Sequence, residues 1–428
     1  MGYILLHIVD WLLWTVLAAS TIYILVFALA SCLPRRKASP APSDVGGNGA
    51  SVIPPSEGQR QSFLILFPAY KEDSVIVSSV RSALEQDYPK ELFHVAVISD
   101  NMQPETNEQL SQLPITVLQP DFEKSSKAKA LQYAVSYFSP HTSHPSPLTP
   151  HPTKVVILDA DNMVEPDFLS RLDAVCRQGH RAIQCHRTAK NSDNGIAALD
   201  GVSEEINNSL FRRGHSRLGL SAGLIGSGMC FDYELFAEDV MQLSSAVEDR
   251  ELEGLLARQG VHIHYAEDIM VYDEKVSSSD NFQRQRLRWM SGQVQTLMLM
   301  LPYVPKAIVR GNVNYVDKTF QQALVPRSLL LLFTPPLAII VTIFAVLSSH
   351  TSHLSTLASH LSPLRWWLLF AAQCLAIFIA IPARLRMRAL GHALLFPRMA
   401  WLMAKNLLHM SLKNKDFLHT THNTTEVK

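Results

Sequence analysis

Asp159 and Asp161 are two carboxylates one residue apart, directly after the apolar run Val155-Val156-Ile157-Leu158. Carboxylates are hard oxygen ligands and suit Mg2+ or Mn2+. A divalent ion held there could bridge diphosphate oxygens and neutralise charge on a leaving group. Such a pair is common in loops, and the strand-like run before it is what gives it weight. Further along, Asp249 lies in Val247-Glu248-Asp249-Arg250-Glu251. It is either a proton acceptor or part of the acidic first turn of a helix. Arg284, Arg286 and Arg288 alternate just before Trp289. An arginine can bond two phosphate oxygens at once, and the alternative is a basic stripe facing a membrane. Trp289 offers a flat face to a sugar ring or anchors at a membrane interface.

These groups need elements to position them. Residues 62–67 form a short apolar run ending at Pro68, as a buried strand does. The spacing predicts a helix over 74–86, a second strand over 93–99, a helix over 127–137 and a third strand over 154–158. Strands alternating with helices predict an α/β fold with a mostly parallel, doubly wound sheet. Ligands in such sheets bind beyond the carboxyl ends of the strands. Tyr70, Asp100 and Asp159 each sit just past a strand end, so they are expected in one cleft. Residues 223–229 are glycine-rich but lack the Lys-Ser/Thr of a P-loop. The His- and Pro-rich stretch 139–152 reads as a solvated loop, because nothing there fixes ligand geometry. His419 and His422 are expected in an unstructured tail.

Residues 11–33 carry no charge and are long enough to span roughly 30 Å of hydrocarbon as a helix. Tyr3, Trp11 and Trp14 mark one end, and Arg35-Arg36-Lys37 follow the other. The positive-inside rule then puts the N-terminus outside and residue 35 onward in the cytosol. A cleaved signal peptide would need its basic residues before the apolar run. Leu29-Ala30-Ser31-Cys32 also matches a lipoprotein cleavage box, a pattern that arises easily by chance at the end of an apolar run. Two further apolar runs cover 328–347 and 366–381, and Arg384, Arg386 and Arg388 follow the second. They predict a hairpin that leaves and returns, with both flanks cytosolic. Pro335-Pro336 within the first run are tolerated in a membrane helix. Residues 389–412 mix apolar and basic residues and are expected to lie in the interface, with a fourth span as the alternative.

The predicted organisation is an N-terminal membrane helix (1–33), a flexible Pro/Gly/Ser-rich linker (34–60) and a cytosolic catalytic domain (61–300). An interfacial segment (301–322), a membrane hairpin (323–383) and an interfacial helix with a cytosolic tail (384–428) complete it. The 38 basic and 38 acidic residues balance, so no global field attracts nucleic acid. The five cysteines show no CxxC pairing, which fits a reducing compartment and argues against a zinc site.

Several motifs then fall in a specific order. Phe67-Pro68-Ala69-Tyr70-Lys71-Glu72 comes first, followed by Ile98-Ser99-Asp100-Asn101 and Ser126-Lys127-Ala128-Lys129. Asp159-Ala160-Asp161, Val247-Glu248-Asp249 and Gln285-Arg286-Leu287-Arg288-Trp289 follow. This series resembles glycosyltransferase family 2, in particular the membrane-bound branch of cellulose, chitin and hyaluronan synthases, with its D, DxD, (T/E)ED and QxxRW pattern. The resemblance covers about residues 63–289 and the flanking membrane segments. It implies a GT-A type nucleotide-sugar-binding domain with flanking transmembrane helices. It implies that Tyr70 and Glu72 line the nucleotide pocket, that Asp100 contacts the base or ribose, and that Lys127 approaches the phosphates. Asp159 would face the donor sugar and Asp161 would hold Mg2+ or Mn2+. Asp249 would be the base, while Gln285, Arg288 and Trp289 would clamp the diphosphate and stack on the acceptor. Gly228 lies in the stretch whose backbone would approach the acceptor, and residues 184–191 would add polar contacts.

The implied activity is inverting transfer from a UDP-linked hexose or N-acetylhexosamine to a glycan or glycolipid acceptor, at the inner membrane. Two departures stand out. Asn101 occupies a position that is acidic in some members, and Val247 precedes Glu248. Three spans are also fewer than the processive synthases carry. Transfer to a polyprenyl phosphate carrier is one alternative, and a non-catalytic subunit of a polysaccharide system is another.

Overall fold

The computed structural model describes residues 2–35, 60–139, 151–192, 194–245, 247–276, 278–349, 362–409 and 426–427. Most of the linker 34–60, most of the 139–152 insertion and both tail histidines lie outside the described residues.

The strands are β1 (Phe63–Tyr70), β2 (Phe93–Asp100), β3 (Thr116–Leu118) and β4 (Lys154–Ile157), then β5 (Met163–Val164), β6 (Ala182–Ala189), β7 (Met229–Asp232) and β8 (Ile263–Asp273). Among the described residues they form one sheet in the order β3-β2-β1-β4-β7-β6-β8-β5. β1 pairs in parallel with β2 and β4, and β2 with β3. β7 then runs antiparallel to both β4 and β6. The doubly wound half is therefore parallel, and β7 makes the sheet mixed.

Alternation along β1 explains why both faces of the sheet are covered. Leu64 and Leu66 enter one core with Ile98, Leu131, Ile157 and Phe231. Phe63, Ile65 and Phe67 enter the other with Val95, Val97, Val156 and Leu172. A period of two with apolar residues on both faces gives a strand buried on both sides. β1 runs three residues past the expected end at Phe67, through Pro68. Its ladder with β4 stops at Leu66, so Pro68 has a strand partner only on the β2 side and its missing N–H breaks no central ladder.

Nine of the described helices frame the sheet's ligand edge and the apolar helical layer. They are α1 (Gly2–Ser31), α2 (Lys127–Phe138), α3 (Gly195–Asn207), α4 (Glu248–Gln259), α5 (Ser279–Met300), α6 (Val313–Ala323), α7 (Arg327–Ser349), α8 (Pro363–Ala380) and α9 (Phe396–His409). α2 starts where expected because the Ser126 side chain accepts from Lys129 N.

Three of these helices are long and apolar enough to cross a membrane, namely α1, α7 and α8. Their inner faces make a third core with Leu17, Ile24, Leu330, Trp366 and Leu369. Gln373 Nε2 ties all three together, donating to Thr21 Oγ1 (3.1 Å) and Thr334 Oγ1 (3.0 Å). Asp10 pairs with Arg365 and accepts from Trp366 Nε1 (3.0 Å), so the charge near the start of α1 is neutralised by α8. α1 also docks on the α/β domain through Gly214, the last residue of a π-helical turn (Asn208–Gly214). A Cβ there would lie 2.4 Å from Phe27 O, so only glycine allows this approach.

Candidate active site

Tyr70 and Asp100 are register partners at the ends of β1 and β2. The chain leaves each strand through a left-handed residue, Lys71 (φ 54°) and Asn101 (φ 56°). Asparagine tolerates that region, which accounts for its presence after Asp100. Asn101 Nδ2 donates to Asp100 Oδ1 (2.7 Å) and Lys71 N donates to Asp100 O (3.2 Å). Two sharp turns thus fix the buried Asp100 carboxylate at the strand ends.

Three carboxylates converge beside it. Oxygens of Asp159, Asp161 and Asp273 lie within 4.8 Å of one another. Asp159 and Asp161 follow β4, while Asp273 is the last residue of β8. Glu274 N donates to Asp161 Oδ2 (2.7 Å), and Asn162 Nδ2 donates to Asp161 Oδ1 and Asp273 Oδ1 (both 3.2 Å). These bonds hold the donor oxygens in place. An all-carboxylate set of this size fits a hard divalent cation such as Mg2+ or Mn2+.

Cations surround the cluster. Arg187 lies 3.9 Å from Asp159 and 3.7 Å from Asp273, and Lys275 bonds Asp273 at 2.6 Å. Burial opposes charge on Arg187, but Asp273, Glu204 and Asp159 reverse this and raise its pKa. Lys127 pairs with Asp159, donates to Gly226 O (2.7 Å) and lies 3.6 Å from Glu248. Burial likewise works against the Lys127 charge, and Asp159 and Glu248 outweigh it, so the ammonium is held on. Glu248 is pushed up, first by burial and then by its neighbour Asp249.

Asp249 sits in the first turn of α4, where its Oδ1 accepts from Arg250 N (2.8 Å). Gly226, at φ +81°, closes the other side. A Cβ there would lie 3.6 Å from Asp249 Oδ2 and 3.7 Å from Lys127 Nζ. The glycine-rich stretch therefore lets the backbone run between the base candidate and the lysine. α5 packs directly behind Val247, since a Cβ on Gly292 would lie 2.4 Å from Val247 Cγ2. Valine before Glu248 thus has a packing reason.

The three carboxylates, Arg187, Lys275, Lys127, Gly226, Glu248 and Asp249 line one cavity of about 640 Å³. Tyr70, Glu72, Asp100, Lys127, Asp159, Asp161 and Asp249 occupy one end. Gln285, Arg288 and Trp289 reach it from α5. Arg286 lies 4.3 Å over the Trp289 ring and pairs with the buried Asp200 of α3. Arg284, by contrast, is exposed.

The matched family model is described as glycosyltransferase-like family 2 and spans residues 60–292, more than half of the chain. The chain belongs to this family. Its α/β domain is of the GT-A type, with three flanking helices able to span a membrane. Among solved structures it is similar to the mannosyltransferase PcManGT from Pyrobaculum calidifontis in complex with GDP-Man and Mn2+. That match has 15% identity, covers 85% of this chain and 99% of that one, and has a TM-score of 0.48. It is also similar to S. aureus TarS 1-349 in complex with UDP-GlcNAc, at 13% identity, 82% and 89% coverage and a TM-score of 0.39. A third is glucosyl-3-phosphoglycerate synthase from Mycobacterium tuberculosis with Mn2+, UDP and glucosyl-3-phosphoglycerate. There the identity is 18%, the coverage 51% and 74%, and the TM-score 0.34. No curated protein sequence matches the chain.

Within this family member Tyr70, Glu72, Asp100, Lys127, Asp159, Asp161, Asp249, Gln285, Arg288 and Trp289 all line the cavity, and Gly228 does not. Gly228 packs behind it, where a Cβ would meet Val271 Cγ2 at 3.0 Å, and Gly226 takes the cavity-lining place. Of residues 184–191, Arg187 lines the cavity. Gln184, His186 and Lys190 instead make internal bonds to Ser227 O, Glu205 and Asp161 O. Asp273 and Lys275 were missed. The signal for Asp273 was the one used for Asp159, an acid at the end of an apolar strand.

Proposed function

We propose that this chain is a membrane-bound, inverting glycosyltransferase that moves a sugar from a nucleoside diphosphate donor, UDP-linked, to a glycan or glycolipid hydroxyl. The observation that carries this reading is one cavity holding a carboxylate cluster, a separate carboxylate at Asp249 and the Arg288–Trp289 pair. Asp161, with Asp159 and Asp273, would hold Mg2+ or Mn2+, which supplies positive charge for the diphosphate.

The chain's own groups do the rest. Tyr70, Glu72 and Asp100 form the wall for base and ribose. Lys127 and Arg288 offer charge to the phosphates, as preorganised cations that need no rearrangement during the reaction. Asp249 accepts the acceptor proton while the acceptor oxygen bonds to the anomeric carbon. The carbon–phosphate-oxygen bond breaks, and its electron pair leaves with the diphosphate. One displacement inverts the configuration, and it requires one base and no covalent nucleophile. Trp289, with Gln285, holds the acceptor ring.

The helices α1, α7 and α8 are read as spanning the inner membrane. Arg35, Arg384, Arg386 and Arg388 then lie on the cytosolic side with the catalytic domain. The interfacial segments 301–322 and 384–409 are read as lying against that surface.

The test is a panel of nucleotide-sugars offered to the purified protein with Mn2+, Mg2+ or chelator, following nucleoside diphosphate release. Metal-dependent release with one donor is expected. No release with any donor would favour the non-catalytic subunit.

A further inference from the structure

The cavity continues beyond Trp289. Ile24, Leu331 and Ile377 also line it, one from each of α1, α7 and α8. Ile381, Met399 and Met403 extend the same wall, the last two from α9. A site for a soluble glycan alone gains nothing from side chains of three membrane-compatible helices. A hydrocarbon chain would bury them.

Arg327, the first residue of α7, lines the same cavity as this apolar wall and Trp289. Its Nη2 donates to Ser203 O (3.3 Å) and Ser203 Oγ (3.1 Å). Its Nη1 is enclosed and has no hydrogen-bond partner, and among the described residues no carboxylate lies within ion-pairing distance of Arg327. Arg286 lines the same end. It is nine-tenths buried, and its Nε is also without a hydrogen-bond partner, although another of its nitrogens pairs with Asp200. Enclosed guanidinium N–H groups left unmade are costly, and an oxyanion satisfies them with charge-assisted bonds. A wall of hydrocarbon next to unsatisfied arginines defines an amphipathic, anionic ligand. Inorganic phosphate would leave the apolar wall empty, and an uncharged lipid would leave Arg327 unsatisfied.

We propose that this end of the cavity binds a membrane lipid with a phosphate headgroup, its chain between α1, α7, α8 and α9 and its phosphate on Arg327 and Arg286. That a sugar hydroxyl carried by this lipid is the acceptor rests on the glycosyltransferase reading. The binding itself does not.

The experiment titrates the whole purified chain in neutral detergent with farnesyl phosphate, farnesol and inorganic phosphate, without donor. Farnesyl phosphate should bind saturably and at least about tenfold more tightly than farnesol, the scale of a charged hydrogen bond. Arg327→Gln should remove that difference and leave farnesol unchanged. Leu331→Trp keeps Arg327 and should weaken both lipids, so a poorly folding Arg327→Gln leaves the proposal testable. Equal binding of farnesol, displacement by millimolar inorganic phosphate, or an unchanged Leu331→Trp protein would each overturn it. Because no donor is present, failure here is separate from failure of nucleotide-sugar turnover, which the same preparation reports independently.

Discussion

The two ends of the cavity are built from different material. At the donor end, Tyr70, Asp100, Asp159 and Asp273 come from the ends of β1, β2, β4 and β8. They are acidic or polar, and the sheet fixes them through strand register. At the membrane end, Arg286, Trp289, Arg327 and Ile377 come from three helices separated in sequence by tens of residues. They are basic and apolar, and helix packing fixes them. Under the proposed function the acidic end is the place for a metal and a diphosphate, and the basic, apolar end is the place for an acceptor arriving from the membrane. Such a division lets donor and acceptor be recognised by surfaces that do not share side chains.

The comparison yields effects of decreasing size. Asp161→Ala should cut nucleoside diphosphate release by at least about a thousandfold while the thermal transition persists, the scale of removing a preorganised charge. Added Mn2+ should restore little of it. Near-normal metal-dependent release would detach the metal from the strand ends.

Glu205, outside the cavity lining, bonds His186 and lies 3.2 Å from Arg384. Burial alone would raise its pKa, but His186, Thr188 and Arg384 hold it down to about 2, from the ordinary 4.5. A carboxylate with a depressed folded pKa stabilises above its unfolded value and loses that contribution as pH falls towards 2. Urea unfolding of Glu205→Gln should therefore show about 3 kcal/mol less stability at neutral pH, with the gap closing between pH 4.5 and 2. A gap independent of pH would contradict the ion pairing.

Gly214→Ala should destabilise by about 1–3 kcal/mol, because its Cβ meets the α1 backbone and the contact must open. An unchanged melting temperature would mean that α1 is not docked there. Trp289→Ala should raise the acceptor KM by about tenfold with the donor KM nearly unchanged, the worth of one aromatic contact. Equal changes in both would show that the two ends share this residue.

The donor end was legible in the sequence because each apolar strand announces its own end. Leu66 and Ile157 run in register, so an acid placed just after a strand must face the cleft. Asp273 escaped because β8 is irregular. Its register with β6 jumps from Cys185–Ala266 to His186–Met270, and Glu267-Asp268 interrupt the apolar pattern there. β7 is only four residues long, too short for its antiparallel course to show. The three apolar helices were visible from hydropathy alone. Arg187 was legible only as part of the polar stretch 184–191, and Arg327 was not legible as a site residue, because what defines it is enclosure by helices far away in the chain. That Gly226, two residues before Gly228, is the glycine facing Asp249 shows only in the backbone.

The most direct test concerns the separate carboxylate. Asp249→Asn keeps the shape of the side chain and removes its basicity. With saturating donor, acceptor and Mn2+, its transfer rate should fall by about a hundred- to ten-thousandfold while donor affinity stays near wild type. A well-folded Asp249→Asn protein that transfers sugar at a near-normal rate would contradict the division between a metal-holding strand end and a proton-accepting helix start.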